Sequence, residues 1–426
     1  MIREAQVSGR LSGRMRVPGS KSLTNRALVC AALAHGTSRL AGASASDDSA
    51  LMANGLNQMG ILVRRDGEAL LVEGKGGALF APKFPVPVGN AGTTLRFLLA
   101  LGALAEGTTV LEGGGRMAER PNADIVEALA SLGVRVDHEE GTARFAVTGG
   151  TLPGGDIAVR SDRSSQFLSA LMMVAPRAAR PLTLRAAGPL ASGHYVRLTV
   201  DVMEAFGASV APGPGDAYTV DAPRAYAPAT YAVEPDASGA TYPFAAAAIA
   251  GGSVAVPGTG PSSHQPDAAF AGVLESMGCT VAHGGGGTSV AREGPLRGID
   301  VSMRLMPDAV PALLAVTLFA EGPSRIGDVG ILRFKESNRM EGMAQELRKL
   351  GAAIDVTADA IAVRPVPLHG ALLDPLGDHR LAMAFALVGL RVPGVRIEDA
   401  ECVRKSFPTF WEALGEILTD PGTTHG

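Results

Sequence analysis

The sequence predicts an α/β protein of two similar lobes containing six repeated units, and three observations carry that expectation. A polar or glycine-rich loop followed by an Ala/Leu-rich helix recurs six times, about 70 residues apart. A second helix signal follows each of the first five. After each second helix come short alternating runs broken by turn residues, the mark of hairpins. The composition permits this: of 426 residues, 46% are hydrophobic and 19% charged, so a large core is available and a disordered chain is not expected.

The first-type helices begin at GSKSLTNRALVCAALAHG (from Gly19), GNAGTTLRFLLALGALAEG (from Gly89) and SDRSSQFLSALMMVAP (from Ser161). They recur as DASGATYPFAAAAIAGG (from Asp236), MPDAVPALLAVTLFAEG (from Met306) and GDHRLAMAFALVGL (from Gly377). Such helices are apolar nearly all round and belong inside a lobe. The second helices carry charges and belong outside. They end at Gly60, Gly133, Gly207, Gly278 and Gly351, each where a helix C′ residue takes the left-handed conformation. VRVDHEEGTARFAVTG and CTVAHGGGGTSVAR then read as hairpins. One unit is therefore strand, helix, strand, helix, strand, strand. Three units per lobe put the first lobe at 19–236 and the second at 1–18 plus 237–426. The first 18 residues supply strands that the truncated last unit lacks. Two chain crossings result, and they form a natural hinge. The tail TDPGTTHG reads as frayed.

Charge and composition exclude several classes. Net charge is −4 and aromatics make up 4%, which argues against a nucleic-acid binder. Cys30, Cys279 and Cys402 are too few and too scattered for a disulfide framework or a zinc site. The N-terminus has no apolar signal-peptide core, and the longest apolar runs fall short of the ~20 residues of a membrane span. A cytoplasmic monomer with reduced thiols is the expectation.

The chemistry points to anions. Helix N-termini carry free N–H groups and partial positive charge, and six of them could converge if the lobes face each other. Polar residues there also serve as plain caps. The cations add weight: Lys21 and Arg26 flank the first helix start, Arg96 follows Gly92 by four, and Arg120 precedes Pro121. Lys335 and Arg339 lie four apart around Glu336, where mutual repulsion calls for an intervening anion. His379 and Arg380 open the last helix against its dipole, and Lys405 lies near the end. Cations so placed are locally unfavourable, which argues for a bound polyanion over a surface scatter. Asp308 reads either as an N-cap or as a general acid–base group, and Glu336 either as an ion-pair partner of Lys335 or Arg339 or as such a group. Ser164, Ser165 and Gln166 offer three donors. No Walker A loop, Rossmann fingerprint or nucleophilic triad signature is present.

The motifs PGSKSLTNRAL, GNAGTTLRFL, RMAERP, SSQFLSALM, MPDA, FKESNR, GDHRLAMAFAL and CVRKSFPTF, running from residue 18 to about 411, closely resemble those of the 3-phosphoshikimate 1-carboxyvinyltransferase family. That resemblance implies the inside-out α/β enolpyruvyl transferase fold. It implies transfer of the enolpyruvyl group of phosphoenolpyruvate to the 5-hydroxyl of shikimate 3-phosphate, with release of phosphate and without cofactor or metal. Carried over by motif, Lys21, Ser22 and Arg26 contact shikimate 3-phosphate, with Lys21 shared by phosphoenolpyruvate. Ser164, Ser165 and Ser192 hold its phosphate and ring, with Gln166 and Tyr195 beside them, and Asp308 and Lys335 bind ring hydroxyls. Gly92, Arg120, Gln166, Arg339, Arg380 and Lys405 surround phosphoenolpyruvate. Lys21, Asp308 and Glu336 are the implied proton carriers. Gly92 leaves room for glyphosate, which in the family occupies the phosphoenolpyruvate place.

The chain departs from the family at Asn338, where Asp is common, and at Ile331, where some members have Asn. Gly193-His194 replace a common Lys-Pro, and Thr94 and Phe97 replace the Ala and Pro of one class. The nearest rival is transfer to a UDP-amino sugar, but that sister enzyme uses a cysteine in the loop that here reads LEGGGRMAERP. Other rivals are a secondary-metabolism paralogue acting on another alcohol and an inactive repeat scaffold.

Overall fold

The computed structural model describes residues 1–418; the expected frayed end at 419–426 lies outside them. Two units emerge, one spanning Gly19–Val233 and the other combining Met1–Pro18 with the chain from Glu234 on.

In the unit Gly19–Val233, helices alternate between buried and one-sided. The helices α1 (Lys21–Leu33), α3 (Gly92–Gly102) and α5 (Gln166–Val174) are buried over nearly their whole length. The helices α2 (Asp47–Gln58), α4 (Ala123–Ser131) and α6 (His194–Ala205) bury one face. The difference is legible in composition: runs such as VCAAL and FLLAL have no polar face to give to water. Ser20 caps α1 by accepting from the Leu23 amide, and Ser46 caps α2 by accepting from the Ser49 amide.

Each repeat of this unit closes into a four-stranded sheet of one design. A first strand runs parallel to a second, and the second is antiparallel to the inner member of a hairpin, whose other strand forms the sheet edge. In the second repeat these are Val86–Gly89, Thr108–Gly113, Arg144–Thr148 and Arg135–His138. The third repeats the pattern with Gly155–Arg160, Leu182–Ala187, Ala217–Val220 and Val210–Gly213. The first repeat has no strand before α1 within the unit. Thr230–Ala232, from the unit's far end, fills that place beside His35–Ala41. The parallel pairing needs a crossover helix, and the buried first-type helices provide it.

In the other unit the fourth and fifth repeats use the same design and the last closes into a three-stranded sheet; its helices are α7 (Ala237–Ala250), α8 (Phe270–Ser276), α9 (Val310–Thr317), α10 (Arg339–Arg348), α11 (His379–Gly389) and α12 (Phe410–Gly415). All fourteen residues of α7 are buried, and Asp236 caps it through the Ser238 amide. The N-terminal segment divides its strands between two sheets. Arg3–Glu4 pairs with Arg396–Ile397 of the last repeat, while Leu11–Arg14 becomes the parallel first strand beside Gly252–Pro257 in the fourth. The fourth repeat needs that strand because the chain enters it directly at α7.

The five glycines ending the second-type helices have φ of 76° to 104°, the left-handed C′ geometry in which an L side chain is strained. Gly74 and Gly149 meet another demand. A Cβ on Gly74 would lie 2.1 Å from the Ala31 carbonyl oxygen in the last turn of α1, and one on Gly149 2.3 Å from that of Gly102, the last residue of α3. Bare backbone there lets the sheet lie directly on the helix end.

Candidate active site

In the unit Gly19–Val233 the named cations surround the N-terminal turns of α1, α3 and α5. Lys21, in the first turn of α1, pairs with the buried Asp48 of α2 at 2.7 Å. Ser22 follows it, and its carbonyl accepts from Arg26 Nη1 at 3.0 Å. Arg26 is 1% exposed and its bonds go to neutral oxygens: Nε donates to Thr199 Oγ1 at 2.8 Å and Nη2 to the Tyr195 carbonyl at 3.3 Å. The ring of Tyr195 lies 5.8 Å from the guanidinium and that of Phe97 5.4 Å. Burial without a carboxylate partner lowers the Arg26 pKa to about 10. Ser192 adopts φ +52°, an uncommon conformation for a residue with a side chain.

Gly92 opens α3, and Arg120 lies against its Cα face. A Cβ at Gly92 would be 2.7–3.0 Å from the Arg120 guanidinium. Arg120 Nη1 donates to the Asn90 carbonyl at 3.0 Å. Ser165 precedes α5, Ser164 Oγ accepts from the Gln166 amide at 3.2 Å, and Gln166 Oε1 accepts from Arg96 Nη1 at 2.7 Å.

In the other unit the charges form a network centred on two arginines. Asp308 Oδ1 is 3.2 Å from Lys335 Nζ and 3.0 Å from Arg339 Nη1, and its Oδ2 is 3.0 Å from Arg380 Nη2. The anion between Lys335 and Arg339 is therefore Asp308. The N-cap reading of Asp308 fails, because the residue preceding α9 is Ala309 and no side chain caps that helix. Glu336 pairs with Arg339 at 2.8 Å. Asp378 completes the set: it takes Arg339 Nε at 2.7 Å and Nη2 at 3.2 Å, accepts from Ser337 Oγ at 3.0 Å, and caps α11 through the Arg380 amide. It also offsets the unfavourable charge of Arg380 at that helix start. Lys405 is half-buried at the end of the 3-10 turn Ala400–Lys405. Asn338 caps α10 by accepting from the Glu341 amide, which gives this departure from the family pattern a structural task.

Burial alone would raise the Asp308 carboxyl, but Arg380, Lys335 and Arg339 together hold it well below the ordinary range. Burial likewise works against the charges of Arg339 and Arg380, and the carboxylates outweigh it, so both stay firmly protonated. Asp267 behaves oppositely. Burial first, then the Asp308 charge, pushes it up to about 7, with Arg380 and a Ser238 hydrogen bond opposing.

Three residues in these clusters escaped sequence reasoning: Asp48, Asp267 and Asp378. Asp48 and Asp378 stand at helix starts, where an acid reads as a cap, and only the packing shows that they also bind cations. Among the described residues no group of three or more His, Cys, Asp or Glu is arranged to hold a metal, and no helix is long and apolar enough to cross a membrane. The three cysteines are free thiols.

Repeated units of this sheet-and-helix design, with cationic side chains gathered at the buried helix starts, define the fold class of the enolpyruvyl transferases. A solved EPSP synthase from Acinetobacter baumannii superposes with a TM-score of 0.81 at 25% identity, covering 98% of both chains. The enolpyruvyl transferase NikO from Streptomyces tendae gives 0.80 at 20% identity, with 98% of this chain and 97% of that one covered. A family model described as EPSP synthase (3-phosphoshikimate 1-carboxyvinyltransferase) matches residues 5–414. The chain belongs to that family. The relative named 3-phosphoshikimate 1-carboxyvinyltransferase from Methanoculleus marisnigri is 42% identical over 422 residues, 98% of this chain and all of its own. The one from Syntrophobacter fumaroxidans is 41% identical, with 96% and 98% covered.

Proposed function

We propose that this protein transfers the enolpyruvyl group of phosphoenolpyruvate to the 5-hydroxyl of shikimate 3-phosphate and releases inorganic phosphate. The observation that carries this reading is the charge network of Asp308, Lys335, Glu336, Arg339 and Arg380, in a chain 42% identical over its length to a relative bearing that name. Both substrates are polyanions, and cations held in place by buried carboxylates supply preorganised countercharge.

Each side chain has a role under this reading. Arg120, Arg339, Arg380 and Lys405 bind the carboxylate and phosphate of phosphoenolpyruvate, with Gln166 beside them and Gly92, which has no side chain, letting Arg120 lie close. Ser22, Arg26, Ser164, Ser165, Ser192 and Tyr195 bind shikimate 3-phosphate. Lys21 serves both substrates, and Asp308 and Lys335 take the ring hydroxyls.

The reaction is addition followed by elimination. A proton from Lys21 or Glu336 reaches the methylene carbon of phosphoenolpyruvate as the 5-hydroxyl oxygen attacks the adjacent carbon and yields its own proton to Asp308. The tetrahedral intermediate then loses phosphate from that carbon and a proton from the new methyl group, restoring the double bond. Asp308 is ionised before reaction, so it can accept the hydroxyl proton only as the oxygen turns acidic in the transition state. The protein works as a cytoplasmic monomer.

The test is phosphate release on mixing shikimate 3-phosphate and phosphoenolpyruvate, with a UDP-amino sugar as the alternative acceptor. Activity with shikimate 3-phosphate alone supports the reading, and activity only with the sugar nucleotide ends it. Near-wild-type rates in both Lys21→Ala and Glu336→Gln would remove the proton-transfer assignment.

A further inference from the structure

We propose that Arg96 is a positioning residue: it sets the amide orientation of Gln166 and ties the Arg120 loop to the start of α5. The inference rests on the reading of Gln166 and Arg120 given above. Arg96 stands one turn into α3 and is 2% exposed. Its guanidinium spans two segments. On one side Nε donates to Asn122 Oδ1 at 3.2 Å and Nη2 to the Pro121 carbonyl at 2.9 Å. On the other, Nη1 donates to Gln166 Oε1 at 2.7 Å and reaches Ser164 Oγ at 3.4 Å. Its Cζ lies over the Phe167 ring, 4.9 Å from the centre.

This geometry has a chemical consequence. A primary amide can present either its oxygen or its NH2 to a ligand, and the two ends are nearly isosteric. A cationic donor on Oε1 selects one orientation and turns Nε2 outward. Nε2 is the end an anionic oxygen needs; a flipped amide would present a repelling oxygen. On the loop side, Pro121 follows Arg120 directly, and Asn122 is itself tied to the Met117 carbonyl at 3.2 Å. The same guanidinium therefore holds the backbone next to Arg120. The planar fork is needed because its donors diverge toward acceptors on opposite sides, which the compact ammonium of lysine cannot reach at once.

The experiment is a double-mutant cycle of Arg96→Met and Gln166→Ala on the full chain, with Arg96→Lys as the milder variant should the methionine protein fail to fold. Steady-state KM for each substrate, kcat and the melting temperature are read for every protein. The expected result is a rise of about tenfold or more in KM for phosphoenolpyruvate with either Arg96 variant, only a small further change when Gln166→Ala is added, and no recovery with lysine. A lowered melting temperature with unchanged KM values would overturn the proposal and leave Arg96 a structural strut. Fully additive effects, or rescue by lysine, would overturn it in favour of direct contact between Arg96 and an anion. If Gln166→Ala alone leaves all constants unchanged, it is the reading of Gln166 that fails, and the inference falls with it.

Discussion

Adding one methyl group at Gly92 tests how closely Arg120 is placed. An alanine Cβ there would sit 2.7 Å from Arg120 Nη2, 2.8 Å from Cζ and 3.0 Å from Nη1. Ordinary contact begins near 3.4 Å, so the guanidinium must retreat by about 0.6 Å or more. That movement strains its 3.0 Å bond to the Asn90 carbonyl and displaces a charge proposed to meet phosphoenolpyruvate. A hydrogen bond to a charged group is worth about 1.5–3 kcal/mol, and each 1.4 kcal/mol is tenfold in affinity. Losing between half and all of one such bond raises KM for phosphoenolpyruvate by between about threefold and a hundredfold. Stability moves the other way or not at all: the displaced group is the end of a flexible side chain, and alanine favours the helix over glycine by up to about 1 kcal/mol. The assay is a pair of substrate titrations of Gly92→Ala beside a thermal melt. An unchanged KM for phosphoenolpyruvate, or an equal rise for both substrates, would refute the argument.

Removing the hub of the second network should unfold rather than merely inactivate. Arg339→Met leaves Asp378, which is wholly buried, and Glu336 without their shared cation, at a cost of about 3–5 kcal/mol, readable as a lower urea midpoint. Asp267→Asn should stabilise the protein in a pH-dependent way. The folded-state carboxyl titrates near 7 instead of 3.8, so the wild type loses stability as pH rises from about 4 through 7, and asparagine removes that loss. Unfolding free energies of both proteins from urea titrations at pH 5 and pH 8 should diverge by more than about 1 kcal/mol at the higher pH; parallel curves would contradict it. Glyphosate at millimolar concentration should inhibit the wild-type enzyme, because Gly92 puts no side chain between the start of α3 and Arg120, and unchanged turnover would count against that.

Much of the architecture was legible before any coordinates. The period of about 70 residues, the all-apolar helices such as Ala237–Ala250 and the glycine ending each second helix are local patterns, and local patterns survive in a linear text. The candidate cations were legible for the same reason, since Lys21, Arg96 and Arg380 stand at or near helix starts where a charge is conspicuous. Partnerships were not. Asp308 meets Arg380 across 72 residues, and Arg96 meets Gln166 across 70.

What the sequence determined alone is therefore the repeat, the helix and hairpin within it, and the family. The tertiary structure decided which acid holds which base, and that Leu11–Arg14 joins the fourth repeat while Arg3–Glu4 joins the last. The physical reason is one of range. Periodicity and capping act over a few residues along the chain, whereas an ion pair or a parallel strand pairing depends on how distant segments pack, and no short window of sequence encodes that.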